Sequence, residues 1–177
     1  MTKSRSKMLL DAKGIRAAMN RLADEIVAAL PENVPVGVIG IRRRGEVLAK
    51  RLVNELARRG VTPLEAGTLD ITLYRDDLAE LGPQAVVRQT EIGFDLTGRY
   101  VVLVDDVLYT GRSVRAALSA LNDLGRPRAI RLAVLVERPG RELPIQADFV
   151  GEHVTQADLP VTVLLTESDQ EEEVRVG

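Results

Sequence analysis

The sequence contains no cysteine, which excludes a disulfide framework and a thiolate zinc site and agrees with a reducing compartment. It also lacks any stretch near the roughly 18 apolar residues of a membrane-spanning helix. The N-terminus is basic (Lys3, Arg5, Lys7), but its one apolar run, Met8-Leu9-Leu10, is too short for a signal-peptide core. A cytoplasmic protein without membrane contact is therefore expected. Neither sign of charge dominates: 24 basic against 26 acidic residues leave a net charge of -2, so only a local patch would recruit nucleic acid. Aromatic residues are 3% of the chain, too few for a platform on which single-stranded bases stack. The single histidine, His153, reads as an exposed imidazole rather than a catalytic base. Two phosphate-binding signatures are missing as well, the P-loop Gly-x-x-x-x-Gly-Lys-Ser/Thr and the dinucleotide Gly-x-Gly-x-x-Gly.

What is present fits one domain. A chain of 177 residues can bury a substantial core. Ile15, Ala18, Met19, Leu22, Ile26 and Val27 recur at helical spacing between Asp11 and Leu30, and Pro31 ends that run. Apolar Val36 to Ile41 then lead through a turn at Arg42 to Gly45 into a second helical pattern stopped by Gly60. The stretch LDITLYRDDL alternates as a half-buried strand, and AELGPQAVVRQTEIGFDLTG carries turn signals, as a hairpin or a mobile excursion would. VVLVDDVLYTGRSVRAAL repeats strand, loop and helix, with Gly125 as its stop; AIRLAVLVERPG is a further continuous apolar strand. Short apolar runs at Phe149-Val150 and Val161 to Leu165 add one or two more. Alternating strands and helices predict an α/β fold with a mostly parallel central sheet flanked by helices. About residues 1–10 and 167–177, the latter within the acidic TESDQEEEVRVG, are expected to fray.

The chemistry concentrates in Val101 to Leu118. Ligands of an open parallel sheet bind beyond the carboxyl ends of its strands, where Asp105 and Asp106 are expected to stand. The following turn, Val107, Leu108, Tyr109, Thr110, Gly111, Arg112 and Ser113, offers backbone N–H groups, two hydroxyls and a helix N-terminus to an anion such as a phosphate monoester. Two acids beside a phosphate would repel it, so they need another task; accepting hydrogen bonds from the vicinal hydroxyls of a ribose is one that fits. Together these residues read as a clamp for ribose 5-phosphate. The bland alternative is a buried strand followed by a solvated polar turn.

This stretch resembles the phosphoribosyl-pyrophosphate (PRPP) motif of type I phosphoribosyltransferases. With LDITLYRDDL before it and LGRPRAIRLAVLVERPGRELPIQADFVG after it, the chain is similar to the PyrR family from about Ile15 to Leu165. The resemblance implies the type I phosphoribosyltransferase fold with a small hood and a mobile flap. It implies a uracil phosphoribosyltransferase that makes UMP and pyrophosphate from uracil and PRPP with Mg2+, in an oligomer of two or more subunits. It also implies regulation of pyrimidine genes by UMP-dependent RNA binding. Asp105 and Asp106 would hold the ribose, residues 107–113 the 5-phosphate, and Arg43, Arg44 and Gly45 of GIRRRG the pyrophosphate. Tyr74, Arg75 and Arg88 would belong to the flap, and Val136, Arg138, Phe149 and Val150 to the base pocket. A UMP-sensing RNA regulator with little turnover and a transferase for another base are the alternatives.

The RNA face departs from the family pattern. Asn20 and Asp24 replace a threonine and a histidine, Gly140 replaces the histidine of the RGHREL turn, and Gln146 and Glu152 replace an arginine and a lysine. Arg141 survives, and Arg16 and Arg21 are further candidates. Losing cations where phosphates are contacted predicts a weak or altered RNA site.

Overall fold

The computed structural model describes residues 6–177. The elements are β1 (Lys7–Asp11), α1 (Ala12–Ala29), β2 (Val36–Ile41), α2 (Arg44–Arg58), β3 (Leu64–Leu69), α3 (Leu78–Leu81), β4 (Tyr100–Leu108), α4 (Arg112–Leu124), β5 (Ala129–Glu137), β6 (Phe149–His153), β7 (Val161–Leu164), α5 (Thr166–Asp169) and β8 (Glu173–Val176). Five strands form a parallel sheet in the order β3-β2-β4-β5-β6, as the alternation of strands and helices predicts.

Side chains of these strands alternate between two buried layers, because successive Cβ atoms point to opposite faces. Val36, Val38, Val102, Val104, Ala133 and Leu135 pack with Ile15, Leu22, Leu48 and Leu52 of α1 and α2. Ile39, Ile41, Val101, Leu103, Leu132 and Val134 pack on the other face with Val114, Ala117 and Leu121 of α4. Both faces are apolar, which is why the strands read as uninterrupted hydrophobic runs. The helix boundaries follow local signals. The Asp11 carboxylate accepts from Gly14 N–H at 2.8 Å to cap α1, and Gly60, just past α2, takes the left-handed φ of 81°.

The sheet has one crevice suited to a ligand. From β2 the chain crosses to β3 on one side, and from β4 it crosses to β5 on the other, so the carboxyl ends of β2 and β4 flank a topological switch point. Pairing of β2 with β4 ends at Gly40 and Val104, while β4 continues beside β5 to Leu108. Asp105 and Asp106 therefore overhang the end of β2.

Three expectations about order change. LDITLYRDDL is not a strand along its length: β3 stops at Leu69, and Thr72–Tyr74 form a 3-10 turn. The Asp70 side chain bonds the chain just ahead of it and turns it out of the sheet. The excursion that follows is not a hairpin; it holds short helical turns and returns through a single bridge between Thr68 and Glu91. The C-terminal stretch is not frayed. β8 lies between β1 and β7 in a second, antiparallel sheet, which forms the hood, and Val174 and Val176 are buried in the core. β1 orders residues 7–10 too, leaving residues 1–5 outside the described part.

Charge that looked like a solvated run instead anchors the hood. Arg51 of α2 pairs with Glu167 and with Glu172, both at 2.5 Å, and Glu172 also accepts from Thr166 N and Oγ1 at 2.9 Å. The hydrogen bonds from Arg51 pull the Glu172 carboxyl from its ordinary 4.5 to about 2 against the opposing effect of burial. A carboxyl depressed on folding stabilises the native state above its unfolded value and loses that contribution as pH falls through the folded one. Urea unfolding from pH 7 to pH 2 should therefore show a loss of stability between about pH 4.5 and 2, and Glu172→Gln should lower stability at pH 7 and flatten that part of the curve.

Candidate functional site: a ribose-phosphate cleft at the switch point

A cleft of about 400 Å³ opens over the switch point, lined among others by Arg42, Arg43, Arg44, Asp70, Arg75, Asp105, Asp106 and Ser113. A smaller cavity of about 150 Å³ adjoins it, lined by Asp105 and by the turn residues Val107, Leu108, Tyr109, Thr110, Gly111 and Ser113. The two acids and the turn thus stand on one rim, with Asp105 shared between a phosphate-sized pocket and a larger polar cleft and Asp106 lining the cleft.

Two glycines allow this. A Cβ on Gly40 would lie 2.3 Å from the Gly45 carbonyl oxygen, and one on Gly45 would lie 2.5 Å from the Val104 carbonyl oxygen. Only hydrogen at both positions lets the first turn of α2 rest on the ends of β2 and β4, bringing the arginine loop beside Asp105. Gly45 is buried there and contributes backbone rather than a contact surface. The Arg42–Arg43 peptide is cis.

Asp105 is buried, 8% exposed, and its Oδ1 accepts from Asp106 N–H at 2.9 Å. Burial, and next the charge of Asp106, push its carboxyl well above the usual carboxylate range. Asp106 is half-buried and lines the cleft, and its Oδ1 accepts from Val107 N–H at 2.8 Å. Beyond them Gly111 takes a φ of 91° at the N-cap of α4, a left-handed conformation that glycine adopts without a Cβ clash. Thr110 Oγ1 accepts from Arg112 N–H at 3.3 Å. Arg112 itself points away from the cavity, pairing with Asp76 at 2.7 Å and Glu142 at 2.6 Å.

The arginine triplet divides its labour. Arg42 is structural: it donates to Gln89 O at 3.1 Å and pairs with Glu46 and Glu91, each at 3.2 Å, tying α2 to the returning excursion. Arg43 is exposed at the cleft. Arg44 holds Asp169 of α5 through Nε at 3.1 Å and Nη2 at 2.8 Å.

Asp70 is the cleft residue that sequence reasoning missed. It accepts from Thr72 N at 2.9 Å, from Thr72 Oγ1 at 2.6 Å and from the backbone N–H of Arg88, so one carboxylate fastens both ends of the excursion. Burial raises its pKa, but those donors and the charge of Arg42 outweigh that and lower it overall. The signal was Asp two residues before Thr, a turn-forming pair. Of the predicted flap residues, Arg75 lines the cleft and pairs with Asp77 at 2.6 Å. Tyr74 instead sends its hydroxyl to Asp123 of α4 at 2.6 Å, and Arg88 contributes its backbone while its side chain is exposed.

The expected base pocket is corrected. Val136 and Phe149 belong to the core on the α1 face, and Val150 packs on the opposite face. β6 begins at Phe149, which pairs with Ala133 in the middle of β5, well short of the carboxyl rim. Arg138 alone stays near the turn, its guanidinium 4.0 Å from the centre of the Tyr109 ring. A Cβ at Gly140 would meet Tyr109 Cε2 at 2.3 Å, so the residue that replaces the family's histidine makes room for that ring.

Two of the three RNA candidates are engaged within the chain. Arg141 donates to Ile145 O at 2.8 Å, to Tyr109 O, and to Glu137 Oε1 at 2.6 Å; its guanidinium is spent on bracing the phosphate turn. Arg21 donates to Gly151 O at 2.6 Å, joining α1 to β6, and Asp24 pairs with Arg59 at 2.7 Å. Arg16 is exposed beside a separate cleft between α1 and α2.

Fold and cleft together define a phosphoribosyltransferase: a profile of the phosphoribosyl transferase domain matches residues 5–170, and the chain belongs to that family. Solved structures agree in fold, among them a hypoxanthine phosphoribosyltransferase from Trypanosoma cruzi (TM-score 0.75, 20% identity, covering 97% of this chain and 94% of that one) and a hypoxanthine-guanine phosphoribosyltransferase from Bacillus anthracis (TM-score 0.73, 15% identity, covering 97% and 96%). Within the family the chain is a member of the PyrR group. It is 52% identical over 167 residues to the bifunctional protein PyrR of Pelotomaculum thermopropionicum, covering 94% of this chain and 92% of that one. It is likewise 52% identical over 169 residues to that of Thermus thermophilus, covering 95% and 93%.

An acid whose pKa is raised by folding lowers stability at pH values above it, because ionisation is easier in the unfolded chain. Asp105→Asn keeps an oxygen for Asp106 N–H and removes the buried charge. Thermal unfolding at neutral pH should show a higher Tm for this variant than for wild type, a difference that should set in as pH rises above the ordinary carboxylate value of 3.8.

Proposed function

We propose that the protein transfers the ribose 5-phosphate group of PRPP to uracil, yielding UMP and pyrophosphate. The observation that supports this most directly is the Asp105–Asp106 pair, set between a phosphate-sized turn and an arginine-bearing loop on one crevice. The Thr110–Ser113 backbone and hydroxyls take the 5-phosphate at the start of α4. Asp105 and Asp106 accept from the ribose hydroxyls. Arg43 and Arg44 face the departing pyrophosphate, whose charge grows as its bond to C1′ breaks and the uracil nitrogen bonds that carbon, releasing its proton. No nucleophilic side chain is needed: positioning and electrostatic stabilisation of the leaving group carry such a reaction. The residues at the crevice also suit Mg2+, an ion that takes one or two carboxylates and leaves its other positions to water and substrate phosphates. Asp106 and Asp105, which line the cleft side by side, would hold it, and bound there it would neutralise pyrophosphate charge. Among the described residues no cluster of three acidic or histidine side chains would cage a metal unaided.

Replacing both acids, Asp105→Asn with Asp106→Asn, should cut kcat/KM for UMP formation by at least about a hundredfold in a coupled assay on folded protein. Unchanged turnover would remove these residues from the clamp, and a preference for hypoxanthine, guanine or orotate over uracil would reassign the base.

A second activity, UMP-dependent binding of pyrimidine-operon leader RNA by a homo-oligomer, is supported by the word bifunctional in the relatives' name. The internal pairing of Arg141, Arg21 and Asp24 weighs toward a weakened site. Titration with leader RNA, with and without UMP at two salt concentrations, is expected to give affinity well below that of a PyrR carrying the usual basic residues, and a shallower salt dependence. Equal affinity and slope would mean other cations replace them.

A further inference from the structure

The pyrophosphate loop ends in a side chain that does not stand alone. Arg44 reaches from the first residue of α2 to Asp169 at the end of α5, giving two of its five N–H groups to one carboxylate, Nε to Oδ2 at 3.1 Å and Nη2 to Oδ1 at 2.8 Å. This side-on geometry fixes the guanidinium plane and leaves Nη1 without a hydrogen bond among the described residues, while the side chain remains 35% exposed on the cleft. The carboxylate is itself held from behind. Asp169 Oδ2 accepts from Leu165 N–H at 3.0 Å and from Ser168 Oγ at 2.7 Å. α5 cannot drift from α2, because Arg51, two turns further along α2, pairs with Glu167 and Glu172 on either side of Asp169.

We infer that Asp169 is a positioning residue of the transferase site: it pre-orders Arg44 so that Nη1 faces the pyrophosphate of PRPP, and the hood segment that carries it is thereby part of the active centre. This rests on the transferase reading given above. A free arginine loses rotamer freedom when it closes on a ligand, and the paired one has lost it already. The opposite role, a carboxylate that occupies Arg44 and must be displaced by the anion, predicts tighter anion binding once the acid is gone, so the sign of one measurement separates the two.

The test is calorimetric binding of inorganic pyrophosphate with Mg2+, alongside steady-state kinetics, for wild type, Asp169→Asn, Asp169→Glu, Ser168→Ala and Glu167→Gln, with Tm measured for each. Asp169→Asn should weaken pyrophosphate binding and raise the KM for PRPP about fivefold or more, with the KM for uracil unchanged. Ser168→Ala, the mildest change and the fallback should Asp169→Asn fail to fold, should shift pyrophosphate affinity in the same direction by less. Asp169→Glu should recover part of the loss. Glu167→Gln removes one of the two carboxylate partners of Arg51 while Glu172 still holds α5 to α2, so it should lower Tm while leaving pyrophosphate affinity at the wild-type value. The inference is overturned if Asp169→Asn binds pyrophosphate as well as or better than wild type, if Glu167→Gln reproduces its loss, or if wild type binds no pyrophosphate. Wild type that binds pyrophosphate but converts no uracil would overturn the transferase reading alone.

Discussion

The close approach of α2 to the end of β4 is the contact on which the site depends. A helix start resting on strand ends, with glycine at both points of contact, does three things at once. It seals the α1/α2 face of the sheet, it sets three consecutive arginines beside two aspartates, and it leaves the overhanging end of β4 with no strand neighbour on that side. Were that approach relaxed by the width of a methyl group, the core would lose density and the crevice would widen together. Packing and recognition are therefore one constraint here.

The opposing charges of the crevice are kept from collapsing onto one another by partners outside it. Arg42 is engaged by Glu46 and Glu91, Arg44 by Asp169, and Asp70 by backbone and hydroxyl donors of the excursion. What faces the opening is the remainder: Arg43, the free edge of Arg44, and the buried Asp105 with the half-buried Asp106. Such an arrangement is preorganised, with dipoles and charges already ordered before a ligand arrives, and its strain is concentrated in the carboxyl of Asp105, where burial outweighs the stabilising hydrogen bond.

Much of the fold and of the clamp was legible in the sequence because both rest on local pattern. Continuous apolar strands, helical periodicity and the stops at Gly60 and Gly125 lie within a few residues of the elements they define. The clamp lies within one strand-turn-helix unit, Val101 to Leu118, so its residues arrive together. What was not legible depends on distant partners. Phe149 could be read as pocket or as core, and the register of β6 against β5 sets it in mid-sheet, in the core. Arg141 looked free because its acceptors, Tyr109 O, Glu137 and Ile145 O, are brought together only by folding. TESDQEEEVRVG looked solvated because its acidic run meets Arg44 and Arg51 across more than a hundred residues of sequence, and no periodicity records that. Asp169 gave no local signal at all.

The hood joins the two extremes of the described chain: β8 lies between β7 and β1, and β1 pairs with nothing else. Within the described chain β1 and α1 precede every other element, and β8, the strand that completes the β1 sheet, follows them all. The parallel sheet can assemble while β1 waits with its hydrogen-bonding edge open. Closing the hood is then a long-range, high-contact-order event, the kind that tends to come late in folding. That same event brings α5 to the arginine loop, so the Asp105–Asp106 strand end and its turn can form before the Arg44–Asp169 contact does, and the two sides of the crevice are completed at different stages of folding.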